Sequence, residues 1–154
     1  MDLKSRKVKM DNKINCSVTV MLVKDNSDLS GMQVGFIRRG PLDTFGGLLV
    51  APGGKVEPTD GNIKDSVMYD CVEKCAVREV LEETGIELQD GDLFYFCSLT
   101  LANGRVVISM KAFIDGSQSS EKLVWLTRED VEAHDDFAPG MKQEAISLFE
   151  SEGV

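Results

Sequence analysis

Two hydrophobic periods alternate along this chain. From Ile14 to Val23, INCSVTVMLV is rich in β-branched residues and predicts a strand. KDNSDLSG follows as turn chemistry, and Met32 to Arg38 predicts a second strand folding back on the first. Pro41 to Gly47 reads as a loop, Leu48 to Ala51 as a short apolar strand, and Glu57 to Lys64 as a loop again. Between Asp70 and Thr84 the period becomes helical. Val72, Cys75, Ala76, Glu79 and Glu83 share one arc, with Val80 and Leu81 beside it. Asp70, with Glu73 three residues on, predicts a capping box, and Gly85 predicts a left-handed stop.

Leu93 to Leu101 and Arg105 to Ile114 predict a hairpin around Asn103-Gly104. Lys122 to Leu126 predicts a short strand, and Thr127 with Asp130 caps a short helix, TREDVEAH. Ala138 to Ser151 predicts a closing helix with Pro139 in its first turn and Ile146, Leu148 and Phe149 for burial. Strands outnumber helices and the two are intermixed, so the class is α+β or mixed α/β. Residues 1–13 read as a flexible N-terminal arm and 14–154 as a single domain.

Composition narrows the function. A chain of 154 residues, 42% apolar and 28% charged, is globular rather than disordered. Its 17 Lys and Arg against 26 Asp and Glu leave a net charge of −9. That excess argues against a nucleic-acid groove, which needs cations to neutralise phosphates. It permits a small phosphorylated ligand when a metal stands between. The sequence has no apolar run long enough to span a membrane, and Met1 to Met10 has no apolar secretion segment. Cys16, Cys71, Cys75 and Cys97 form no C-x-x-C pair and read as buried residues of a reducing compartment. The expectation is a cytoplasmic protein with neither nucleic-acid nor membrane partner.

The chemistry concentrates between Gly53 and Ile86. Gly53 and Gly54 follow a strand, where glycines permit positive φ and close backbone approach. Glu79, Glu82 and Glu83 stand at i, i+3 and i+4, so one helix face carries three carboxylates that repel one another. A hard cation with oxygen ligands relieves that repulsion, whereas pairing of Arg78 with Glu82 suits a plain solvated face.

Together these features resemble the Nudix box, G-x5-E-x7-R-E-U-x-E-E-x-G-U, where U is a bulky aliphatic. Arg78, Glu79, Val80, Glu82, Glu83, Gly85 and Ile86 fit its second half, and Gly54 within GGKVE fits its opening. The flanking LLVAPGGKVE and the strand ending FIRR look like the same superfamily. The departure is in the middle. Fifteen residues separate Gly54 from Asp70, the acid found by counting back from Arg78, where the pattern has five. Counting forward from Gly54 instead reaches Asp60. Asp70 is preferred here because it starts the helix and keeps register with Glu79. An insertion near Asp60 to Tyr69 is then expected to reshape the mouth of the site more than its chemistry.

The resemblance implies a MutT-like enzyme with an α/β/α sandwich and a mixed sheet. It implies Mg²⁺- or Mn²⁺-dependent hydrolysis of a nucleoside diphosphate linked to another group. By position, Glu79, Glu82 and Glu83 become metal ligands and catalytic residues, with the Gly53 carbonyl as a further ligand. Glu79 is a candidate base, Arg78 orients the glutamates, and Asp70 and Gly85 fix the ends of the helix. Glu121 is the candidate for a base or ligand from beyond the box. Arg38 or Arg39, together with Gly54, would meet the substrate, one of the two arginines facing solvent only. His134 reads as a loop histidine. Trp125 and Phe137 are candidates for stacking a base, with core packing favoured for Trp125. The ADP-ribose hydrolases' proline and the diadenosine polyphosphate hydrolases' tyrosine are both absent around Thr100 to Gly104. That leaves a nucleoside triphosphate, oxidised forms included, as the favoured substrate. ADP-ribose or a nucleotide sugar is the alternative, and a non-enzymatic nucleotide-binding module is a further one. A homodimer is left open.

Overall fold

Strand β1 (Cys16–Asn26) is the spine of the molecule. Val18, Val20 and Leu22 alternate with Met21 and Val23, and all five are fully buried. A strand buried at consecutive positions is covered on both faces, because neighbouring side chains point to opposite sides. The structure, a computed structural model, describes residues 14–26, 31–115, 117–118 and 120–154. The N-terminal arm read at 1–13 and residues 27–30 of the turn read between the first two strands lie outside the described residues.

Strand β2 (Gly31–Arg38) pairs antiparallel with β1, Leu22 opposite Gly35 and Val23 opposite Val34. Short strands β3 (Leu49–Val50) and β4 (Gly53–Lys55) follow. Helix α1 (Cys71–Thr84) then leads to β7 (Leu93–Thr100) and β8 (Val106–Phe113), the hairpin expected from Asn103-Gly104. β8 runs parallel to β1, so the sheet is mixed, in the order β3-β2-β1-β8-β7. Strand β9 (Val124–Leu126) adds to β2. There Trp125 lies across Gly35, where a Cβ would come within 3.1 Å of the indole. Helices α2 (Arg128–Ala133) and α3 (Met141–Ser151) pack together, and Met141, Ala145, Leu148 and Phe149 of α3 enter the core. The α+β class and mixed sheet expected from the sequence are those observed.

One edge of β1 changes partner halfway along. Its second half pairs with β2, and its first half pairs with β4, Ser17 opposite Lys55 and Thr19 opposite Gly53. Val20 N–H bridges the change by donating to Pro52 O at 2.8 Å. The split leaves the Pro52-Gly53-Gly54 backbone between sheet and helix, and the candidate site is built there.

Three local expectations are corrected. Asp70 is the N-cap of α1, but it has φ 58° and its side chain caps nothing, so the capping box with Glu73 is not formed. Pro139 lies outside α3, because Gly140, at φ 81°, is the N-cap and the helix begins at Met141. The stretch after Glu57 is only partly loop. Strands β5 (Asn62–Lys64) and β6 (Val67–Tyr69) make a separate hairpin, turned by Asp65 and Ser66, both at positive φ as a tight two-residue turn demands. The feet of this hairpin meet. A Cβ on Gly61 would lie 3.0 Å from Cys71 Cβ and 2.7 Å from Tyr69 O. By contrast, Thr127 and Asp130 form the expected capping box of α2, and Gly85 closes α1 at φ 78°.

Candidate active site

Helix α1 packs on β4 and β1 through Cys75, Ala76 and Val80. Thr84 secures its last turn, its hydroxyl donating to Val80 O at 2.6 Å and accepting from Ile86 N–H at 3.1 Å. With that face buried, the register turns Glu79 and Glu83 toward the glycine strand. The Gly53 N–H donates to Glu83 Oε1 at 3.2 Å. A Cβ on Gly54 would stand 2.8 Å from Glu79 Oε2 and closer still to Oε1, so the missing side chain is the space that Glu79 occupies. Gly53 is needed for another reason. A Cβ there would collide with the carbonyl of Val18 and come within 2.8 Å of Thr19 Cα. Neither glycine adopts positive φ. Both serve close approach, which is one of the two uses that the sequence allowed.

Arg78 ties the region together. Its Nε donates to Asp60 Oδ1 at 2.6 Å and its Nη2 to Asp60 Oδ2 at 2.9 Å, a bidentate pair. Nη2 also donates to Lys55 O at 3.2 Å, and Nη1 reaches Glu79 Oε1 at 2.9 Å and Glu82 Oε2 at 3.4 Å. The Asp60 side chain is only 2% exposed. Burial by itself would raise its carboxyl, but the Arg78 hydrogen bond and charge, with the Glu57 N–H, outweigh that and hold it below the usual range. The acid that holds Arg78 is therefore Asp60, at the five-residue spacing from Gly54. Asp70, preferred from the sequence, makes no such contact, and the extra hairpin follows the acid rather than preceding it.

Electrostatics single out Glu83. Burial raises its carboxyl to about 7, the Gly53 N–H opposes the rise, and the adjacent charge and hydrogen bond of Glu79 add to it. Arg39 tempers this from the far side. Two carboxylates this close, one buried, leave a place for a proton or a cation between them. Among the described residues, no three Asp, Glu, His or Cys side chains already converge on a common point. Glu82 accounts for this, since its carboxylate is 57% exposed and turned to Arg78. The oxygens available are all hard donors, which suit Mg²⁺ or Mn²⁺. Cys75 is fully buried, and burial foremost lifts its thiol to about 12, which disfavours the thiolate.

The remaining sequence candidates separate. Arg38 is held by Asp136 at 2.8 Å and by Gly47 O at 2.7 Å. Arg39 lines a cavity beside Glu83, together with Lys122, and its Nε is buried without a hydrogen-bond partner. Glu121 is exposed and its neighbour Lys122 reaches that cavity, a residue that sequence reasoning passed over because no motif marked it. Phe137 is buried edge-on against Phe36, ring centroids 5.2 Å apart, and so is not free to stack a base. His134 contacts Asp136 at 3.1 Å, as a loop histidine. No described helix is long and apolar enough to cross a membrane.

Residues 17–148 match the model of the NUDIX domain. No curated protein sequence matches the chain. Among solved structures, the chain is similar to a MutT/nudix family protein from Enterococcus faecalis, with a TM-score of 0.68 and 20% identity. That match covers 90% of this chain and 62% of the other. It is similar to the NUDIX domain of Shewanella oneidensis NrtR complexed with ADP ribose, with a TM-score of 0.65, 19% identity, and coverage of 100% and 94%. A MutT protein from Methanosarcina mazei Go1 matches with a TM-score of 0.59 and 22% identity over 90% and 94% of the two chains. At these identities the likeness is one of fold.

Proposed function

This chain belongs to the NUDIX domain family, and on that premise we propose that it is a divalent-metal-dependent hydrolase. Its reaction is cleavage of the pyrophosphate link of a nucleoside diphosphate joined to another group. The observation that carries the reading is the Glu79–Glu83 pair. It lies against a strand whose glycines leave it room, and burial together with mutual repulsion pushes Glu83 up to about 7. A pair held at that cost is relieved by a cation. Glu79, Glu83, Glu82 and the Gly53 carbonyl are the groups to hold it.

A bound Mg²⁺ or Mn²⁺ supplies charge neutralisation at the phosphate oxygens and acidifies water. The rest is done by the chain. Glu79 accepts the proton of the attacking water, and Arg78 fixes its carboxylate through the 2.9 Å contact. Asp60 fixes Arg78 in turn. Arg39 meets the phosphates, whereas Arg38 is already spent on Asp136. Glu121 stands as the carboxylate from outside the box. The favoured substrate is a nucleoside triphosphate, oxidised forms such as 8-oxo-dGTP included, giving the monophosphate and pyrophosphate.

A second reading, ADP-ribose, is favoured by the similarity of the whole chain to a NUDIX domain complexed with that ligand. One panel separates the two. Nucleoside triphosphates, ADP-ribose and nucleotide sugars are incubated with Mg²⁺ and phosphate is measured. Release that needs added inorganic pyrophosphatase marks a triphosphate substrate, and release that needs a phosphomonoesterase marks ADP-ribose or a nucleotide sugar, told apart by which of them was supplied. Binding that EDTA leaves unchanged, with no turnover of any member, makes the protein a binding module and overturns the hydrolase.

A further inference from the structure

A cavity of about 550 Å³ opens beside the carboxylate pair, with Glu83 in its wall. The same lining holds Arg39, the residue after β2, and Lys122, from the segment entering β9. The side chain of neither makes an ion pair or a hydrogen bond among the described residues. Arg39 Nε is in addition buried with no partner, an arrangement that costs free energy unless a ligand completes it. The other charged groups in the lining are engaged. Asp43 accepts from Gly40 N–H at 3.1 Å, and Arg38 is held by Asp136. Two cations without an ion-pair partner therefore share the lining with two carboxylates, Asp43 and the Glu83 that the metal reading already uses.

An unsubstituted phosphate carries nearly two charges at neutral pH and three acceptor oxygens. A phosphate esterified to a sugar carries one charge and needs space for the sugar beyond it. We propose that Arg39 and Lys122 form a grip for a terminal phosphate, selecting substrates that end in an unsubstituted phosphate over those whose second phosphate is esterified. Lys122 is thereby a specificity-determining residue. This inference rests on the hydrolase reading and deepens it.

The test compares wild type with K122A, K122E and K122R. Lys122 is exposed, so none of these changes disturbs the core. The ratio of kcat/KM for dGTP to that for ADP-ribose is expected to fall about tenfold in K122A and further in K122E, mainly through KM for dGTP. K122R restores most of the ratio. Inorganic pyrophosphate, titrated calorimetrically in the presence of Ca²⁺, is expected to bind about tenfold more weakly to K122A. An unchanged ratio, equal pyrophosphate binding by wild type and K122E, or a wild type that turns over ADP-ribose but no triphosphate overturns the grip and leaves the hydrolase standing. If wild type turns over nothing, the hydrolase fails, and the pyrophosphate titration still decides the grip.

Discussion

Asp60 and Arg78 meet through two parallel hydrogen bonds, 2.6 and 2.9 Å long, across the root of an inserted hairpin. Arg78 in turn holds Glu79, so the position of the Glu79 carboxylate depends on a residue nineteen positions upstream of it.

Removal of the Asp60 carboxylate is therefore expected to be costly. Asp60→Ala leaves a half-buried guanidinium short of its main partner and destabilises the fold by about 2–4 kcal/mol. Turnover falls roughly a hundredfold as Glu79 loosens. Asp70→Ala has no cap bond to lose and only the left-handed backbone at φ 58° to strain, so it costs about 1 kcal/mol and leaves turnover near wild type. Urea denaturation and steady-state kinetics on the two variants make the comparison. Equal effects would show that the pair does not organise the site.

The carboxylates should separate activity from stability. Glu79→Gln, Glu82→Gln and Glu83→Gln are each expected to lower kcat by two orders of magnitude or more while circular dichroism stays native. EDTA does the same to wild type, and Mg²⁺ raises its melting temperature by binding only the folded state. A Glu82–Glu83 double variant with intact activity sinks the mechanism.

Metal-free protein should carry a signature of Glu83 in its pH profile. Its folded carboxyl is raised from an ordinary 4.5 to about 7. Between those values the native state holds a proton that the unfolded chain has released, so stability falls as pH rises through the window and levels off above it. Asp60 and Asp136 are shifted downward from 3.8 and act only at lower pH. Melting curves in EDTA from pH 5 to 8 should show the slope in wild type and its loss in Glu83→Gln. That variant should be the more stable of the two by a few degrees at pH 8.

The two glycines should fail differently. Gly53→Ala drives a methyl into the β1 backbone and costs about 2–3 kcal/mol of stability. Gly54→Ala displaces the flexible end of Glu79 and loses about tenfold or more in turnover at a smaller cost in stability. Denaturation midpoints and kcat measured side by side test this, and an active Gly54→Ala removes the space argument.

What the sequence made legible follows from local physics. The β1–β2 and β7–β8 hairpins, helix α1 with its Gly85 stop, and the Thr127 cap each rest on neighbours within a few residues. The carboxylate face was legible because helical spacing alone places Glu79 and Glu83 together. The acid partner of Arg78 was not, because helix register favoured Asp70 and only tertiary packing brings Asp60 across. Pro139 looked like a first-turn residue, yet the left-handed Gly140 delays the helix. Lys122 reaches the cavity through chain routing before β9, which no periodicity records.

The touching feet of the hairpin have an evolutionary reading. Excising Gly61 to Asp70 would leave seven residues between Asp60 and Arg78, the spacing of the uninterrupted motif. Since Gly61 already abuts Cys71, the excursion is a graft on a closed frame, entered and left at a single point. A change in the length of this excursion would leave the Asp60–Arg78–Glu79 contacts where they are. The box in this chain is thus interrupted along the sequence and continuous in space.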